Sequence, residues 1–120
     1  ATDNKLTPLH YTCANGHAEV ASFMLQSLEA EQKMRLLLAA TDNKLTPLHY
    51  ACAEGHAEVA SFVLQSLEAK QNMRLLLAAT GNKLTPLHLA CAKGHAEVAS
   101  VVLQSLEAEQ KMKLLLAAGD

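Results

Sequence analysis

Residues 46–59 read Thr46-Pro47-Leu48-His49-Tyr50-Ala51-Cys52-Ala53-Glu54-Gly55-His56-Ala57-Glu58-Val59, and the punctuation of this stretch decides the fold. Thr46 is a good helix N-cap, and Pro47 follows at the first helical position, where a missing N–H costs nothing. Gly55 supplies the left-handed residue that stops a helix. A short first helix over about residues 47–54 follows from this. After Gly55-His56, the residues Val59, Phe62, Val63 and Leu67 recur at helical spacing, which predicts a second helix antiparallel to the first across a tight turn. Residues 57–84 contain one Gly and no Pro, and 67–76 are largely strong helix formers, so more helix lies there. Ser66, with Glu68 behind it, reads as a fresh N-cap, which favours a break near Gln65-Ser66 and a third short helix over one continuous helix. Thr80-Gly81-Asn82 then reads as a turn leading to the next Thr-Pro.

Sliding the chain against itself by 39 residues aligns 2–40 with 41–79 and 80–118. The first two copies differ only at the pairs Thr12/Ala51, Asn15/Glu54, Met24/Val63, Glu31/Lys70 and Lys33/Asn72. A fixed period of this size is the signature of a solenoid, in which each unit covers its neighbour's apolar face. The expectation is one all-α repeat domain over residues 1–120, three stacked helix-turn-helix units each with a helical insertion. Half of the residues are apolar but the aromatics are only Tyr11, Phe23, Tyr50 and Phe62, so Leu, Ala and Val must build the core. A formal charge of −2, evenly spread, leaves no electrostatic footprint for a phosphate backbone, and nucleic acid is not expected as a partner. The apolar run at 36–40 and its copies are too short to span a bilayer, and no charged-then-apolar leader opens the sequence. No membrane contact is expected, and two leucines of each triplet should pack between units. Met34, Met73 and Met112 read as flexible core filler.

The motif Thr-Pro-Leu-His at 7–10, 46–49 and 85–88, the small Ala/Cys pair after it, and the later Gly-His and Glu-Val in all three copies resemble the ankyrin family in register. The resemblance implies paired helices stacked in a curved array with fingers projecting from one edge. It makes His10, His49 and His88 braces for the turns begun by Thr7-Pro8, Thr46-Pro47 and Thr85-Pro86. It makes His17, His56 and His95, after Gly16, Gly55 and Gly94, partners of the interhelical loops. It also implies a concave partner-binding face lined by Leu6, Leu45 and Leu84, by Tyr11, Tyr50 and Leu89, and by Asn15, Glu54 and Lys93. The function implied is a non-catalytic scaffold that binds another protein there and on the fingers. The competing expectation is that the insertion folds over this stripe and hides it.

Two departures from the family pattern stand out. The usual unit is about 33 residues, so each copy carries an insertion, placed in residues 27–35 and their equivalents. Lys5, Lys44 and Lys83 stand where the family has a left-handed Gly. A side chain in that conformation costs about 1–2 kcal/mol, and a finger of different shape is the expectation.

His10, Cys13 and His17, with their copies, have His-x2-Cys-x3-His spacing that suggests zinc, but Gly16 interrupts the helix before the last ligand and no fourth ligand is nearby. No phosphate loop, nucleophile elbow or paired-carboxylate constellation is present, so neither an enzyme nor a cofactor is expected. Cys13, Cys52 and Cys91 should lie about 10 Å apart in stacked helices, beyond the roughly 7 Å that a disulfide spans. They read as free, buried, inert thiols of a reducing, cytoplasmic compartment. The terminal copies match the middle one where a polar cap is usual. Val20, Phe23 and Leu25 at one end and Val98, Val101 and Leu103 at the other are therefore expected to be sticky. This predicts head-to-tail self-association as an alternative role, or else a chain that was engineered or excised from a longer array.

Overall fold

The computed structural model describes residues 6–117, so Lys5 and the outermost residues of the first and third copies lie outside the described residues. Helices come in trios. The first is α1 (Pro8–Ala14), α2 (Ala18–Leu25) and α3 (Ala30–Leu38). The second is α4 (Pro47–Ala53), α5 (Ala57–Gln65) and α6 (Ala69–Leu77), and the third is α7 (Pro86–Ala92), α8 (Ala96–Gln104) and α9 (Ala108–Leu115). No strand occurs among the described residues. Like packs on like along the stack: α1 on α4 on α7, α2 on α5 on α8, and α3 on α6 on α9. The core lies in the junctions, where Leu37, Leu48, Val59, Val63, Leu76 and Val98 are fully buried.

Each unit opens the same way because its local sequence leaves little choice. Thr46 holds an extended backbone (φ −87°, ψ 167°) and Pro47 begins α4. The Thr46 N–H donates to Nδ1 of His49 at 3.0 Å, and the His49 N–H donates back to Thr46 Oγ1 at 3.4 Å. This is a capping box with imidazole in the place usually taken by a carboxylate. Because Nδ1 accepts, the proton of the neutral ring sits on Nε2, which donates to the Leu84 carbonyl of the following unit at 3.0 Å. His10 repeats the arrangement with Thr7 and Leu45. Burial pulls both imidazoles below their ordinary value of 6.5, against backbone carbonyls that pull the other way.

The second histidine of each motif ties a junction backwards. His56 Nε2 donates to Ala14 O at 2.9 Å and His95 Nε2 to Ala53 O at 3.1 Å. Their rings lie against the glycines of the preceding unit, so that a Cβ on Gly16 would come within 2.6 Å of His56 and one on Gly55 within 2.8 Å of His95. These glycines also have positive φ, 76° and 79°. Both the left-handed turn and the close approach of a ring therefore require glycine.

The third helix exists and the break precedes it, but the expected cap is corrected. Ser66 ends α5, its Oγ donating to Val63 O at 2.7 Å, and the extended Glu68 starts α6, its N–H donating to Gln71 Oε1 at 3.2 Å. The insertion thus supplies a third row in which Leu37, Leu75 and Leu76 are buried while Leu36 and Leu77 face outward.

The fingers also depart from expectation. Lys44 and Lys83 do adopt the left-handed conformation, with φ of 66° and 64°, and the loops close as tight hairpins. Thr41 N donates to Leu45 O, Lys44 N to Thr41 O, and Leu45 N to Thr41 Oγ1, at 2.8–3.1 Å. Three such bonds at about 0.5–1.5 kcal/mol each offset a left-handed cost of about 1–2 kcal/mol. Gly81 N donates to Asn43 O at 3.2 Å, joining one finger to the next.

Two outcomes follow. Gly55→Ala loses the left-handed allowance and also collides with His95, whereas Gly94→Ala, with nothing within 4 Å of the new Cβ, meets only the former cost of about 1–2 kcal/mol. Urea midpoints should therefore fall further for Gly55→Ala. Second, the unfolded chain takes up protons on His10 and His49 near pH 6.5 while the folded chain resists them. Stability is then complete above that pH and declines as the pH falls below it, before carboxylates titrate. A flat denaturant midpoint between pH 7.5 and 5.5 would contradict this.

Candidate functional site

The inner helices and fingers together form one open face. Tyr11, Tyr50 and Leu89 occupy the same position of α1, α4 and α7, and Asn15, Glu54 and Lys93 are the exposed C-cap residues of those helices. Leu6, Leu45 and Leu84, each next to an N-cap, are half-buried. Tyr11 is 47% exposed. Tyr50 packs edge-on against His10, ring centroids 5.7 Å apart at 85°, a geometry that aromatic quadrupoles favour. Burial, and then the neighbouring Tyr11, push the Tyr50 phenol above its ordinary value, so it stays neutral.

Between the second and third fingers lies an open groove of about 360 Å³ lined by Asn43, Leu45, Thr80, Gly81, Asn82, Leu84 and Leu89. The position of the residues before Thr-Pro and after the first His is therefore shared by one surface around Leu45, Leu84 and Leu89. No residue of the insertion lines the groove, so the third helices do not cover it. Asn43 and Asn82 were missed by sequence reasoning. They sit at finger tips, and only the stacking of the fingers brings them over the leucines.

The His-Cys-His spacing does not assemble a ligand set. Both ring nitrogens of His49 are engaged, by Thr46 and Leu84, and burial pushes the Cys13 and Cys52 thiols up to about 12. A neutral thiol is neither a metal ligand nor a nucleophile. Among the described residues no three His, Cys, Asp or Glu groups converge as a metal site. The cysteines are free, but the expectation that all are buried is corrected: Cys91 is exposed, on the last of the described inner helices. Met112, 56% exposed on the last described helix, also departs from the core-filler expectation.

The six positions expected to be sticky are only partly so. Val20 and Phe23 are exposed, and Val101 and Leu103 are partly buried. Leu25 and Val98 are fully buried within the core cluster. At the far end Leu115 and Leu116 are the exposed apolar residues instead.

No helix among the described residues is long and apolar enough to cross a membrane. A comparison with curated proteins returns no match. A family model described as ankyrin repeats (3 copies) matches residues 1–75, and a second, described as ankyrin repeat, matches residues 82–109. With Thr-Pro-Leu-His capping boxes, Gly-His junctions and stacked helix pairs in register beneath those matches, the chain belongs to the ankyrin-repeat family, whose repeats are generally non-enzymatic modules for contact between proteins.

Proposed function

We propose that the chain is a non-catalytic scaffold that receives a partner protein along the inner-helix face and the fingers. The observation that carries this reading is the groove between Leu45, Leu84 and Leu89, open to solvent, with Tyr11 exposed in the first unit at the position Leu89 holds in the third. An exposed apolar stripe with a polar rim is the anatomy of a contact surface. Its rim changes along the array, from Asn15 to Glu54 to Lys93, while the frame beneath is constant. The partner this favours presents an apolar ridge with a basic group opposite Glu54 and an acidic one opposite Lys93. The unpaired thiols fit a reducing, cytoplasmic setting for such a scaffold.

Tyr11 is the residue that tests the reading, because it is exposed and its removal disturbs the fold little. An aromatic anchor at an interface is worth about 2 kcal/mol or more, so Tyr11→Ala should weaken capture of a partner that spans the inner face by about 30-fold. Glu97→Ala, on the exposed side of α8, should leave capture unchanged. Equal loss in both variants, or none in Tyr11→Ala, would remove the inner face from consideration.

A further inference from the structure

The inner-face reading leaves the insertion unused, although its helices carry a second groove. Ala30, Met34 and Leu38 stand four residues apart, so they line one face of α3 over about 12 Å. Gln71 and Arg74, three apart, face them from α6, and the space between the two strips is an open groove of about 570 Å³. Met34 is buried and Leu38 packs against the core, which gives the groove an apolar floor. Arg35 and Arg74 stand in the last turns of α3 and α6, one on each wall, and both are exposed. Neither guanidinium has a hydrogen bond or ion pair among the described residues. Arg74 belongs to the middle unit, which has a neighbour on either side, and Leu77, the copy of Leu38, is also exposed there. The exposure is therefore a property of the whole row. The two helices hold four cations, Lys33, Arg35, Lys70 and Arg74, against one carboxylate, Glu31, in a chain of net charge −2. The helix dipole accounts for a cation in a last turn, but it does not require apolar side chains between two of them.

We infer that this groove is a second docking site, and that its occupant is an acidic amphipathic helix of another protein. Two stacked helices offer a third a seat along the cleft between them, where its apolar stripe packs on Met34 and Leu38. Carboxylates flanking that stripe on both sides then meet Arg35 and Arg74, whose planar guanidinium groups bind carboxylate through paired hydrogen bonds. In heptad terms the stripe is a and d, and the carboxylates are e and g. Glu31 lies one turn before Arg35 on the same wall. It repels a carboxylate placed one turn along, and so fixes the level at which the acidic residues sit. The same carboxylate and the apolar floor set this site apart from a groove for a phosphate backbone, whose charge is continuous along its length. Exposed differences between the copies fall on this row as well, at Glu31/Lys70/Glu109 and Arg35/Arg74/Lys113, as they do on the rim of the inner face. The site belongs to a different row of helices from Tyr11 and does not rest on the inner face binding anything.

The probe is a synthetic peptide two heptads long, stapled into a helix on its outer face, with Leu at a and d and Glu at e and g. Repulsion between the Glu side chains keeps it from pairing with itself. Fluorescence anisotropy of the labelled peptide should rise on titration with the 120-residue chain, and the affinity should fall as salt is raised. Arg35→Gln and Arg74→Gln, at exposed positions that leave the fold intact, should each weaken binding by about 3- to 5-fold, the size expected of an exposed ion pair. The double variant should lose about tenfold or more. Lys93→Gln, which removes an exposed cation from the inner row, and Tyr11→Ala should both leave binding unchanged, so the two surfaces stand or fall separately. A peptide with Lys in place of every Glu should not bind. Absence of binding by the acidic peptide, arginine variants that bind it as the wild type does, or an equal loss in Lys93→Gln would overturn the proposal. Displacement of the peptide by an oligothymidylate of equal charge would overturn it too, by showing a site for polyanions.

Discussion

The His49 imidazole takes a proton donor from the backbone that starts its own helix and gives one to the backbone that ends the next finger. A single buried ring thereby fixes a helix start, the spacing of two units and the position of a finger. Both of its nitrogens are committed, and the ring must be neutral for the pattern to hold. The apolar contacts around it supply most of the stabilisation but have little direction. The histidine bonds, forward from His10 and His49 and backward from His56 and His95, determine which of many similar leucine packings is adopted. The groove on the inner face is a product of that register, since Leu45 and Leu84 carry the carbonyls the histidines seek.

Much of this was legible in the sequence where the cause is local. Thr46-Pro47 and Gly55 mark one helix because capping and handedness act within a few residues, and the triplication made the stacking evident. The legibility ended where the cause was not local. Ser66 is statistically the better N-cap, yet its hydroxyl is drawn to the Val63 carbonyl and the extended backbone of Glu68 starts α6 instead. Lys44 looked unsuited to a left-handed position, and only the three bonds made with Thr41 and Leu45 show why the loop accepts it. Periodicity also suggests equal surroundings for equal residues. Cys13, Cys52 and Cys91 share a sequence position, but a residue's burial depends on whether a neighbour stands beyond it. The inner face was found through the family resemblance; its asparagines at the finger tips required the stacked loops.

The insertion carries a chemistry of its own that the pattern of leucines concealed. Lys33 of the first unit reaches across to the Ser66 carbonyl at 3.3 Å, placing a cation near the C-terminus of α5, where the helix dipole favours it. Its equivalent Asn72 is buried and turns back to Leu64 O at 2.8 Å instead, leaving Oδ1 without a partner among the described residues. One end of α5 therefore collects both interactions. The two junctions are alike in their histidines and unlike in this third row. The third row is where units that share a frame acquire individual character.

The forward histidine bond gives the array a direction, since the ring always belongs to the earlier unit and the carbonyl to the later. Removing or adding a whole 39-residue block rejoins a ring to a carbonyl of the same kind, whereas a deletion of any other length separates them. The array is thus free to change in length by whole modules while its seams stay chemically constant. A stack built this way can be lengthened or shortened without being redesigned.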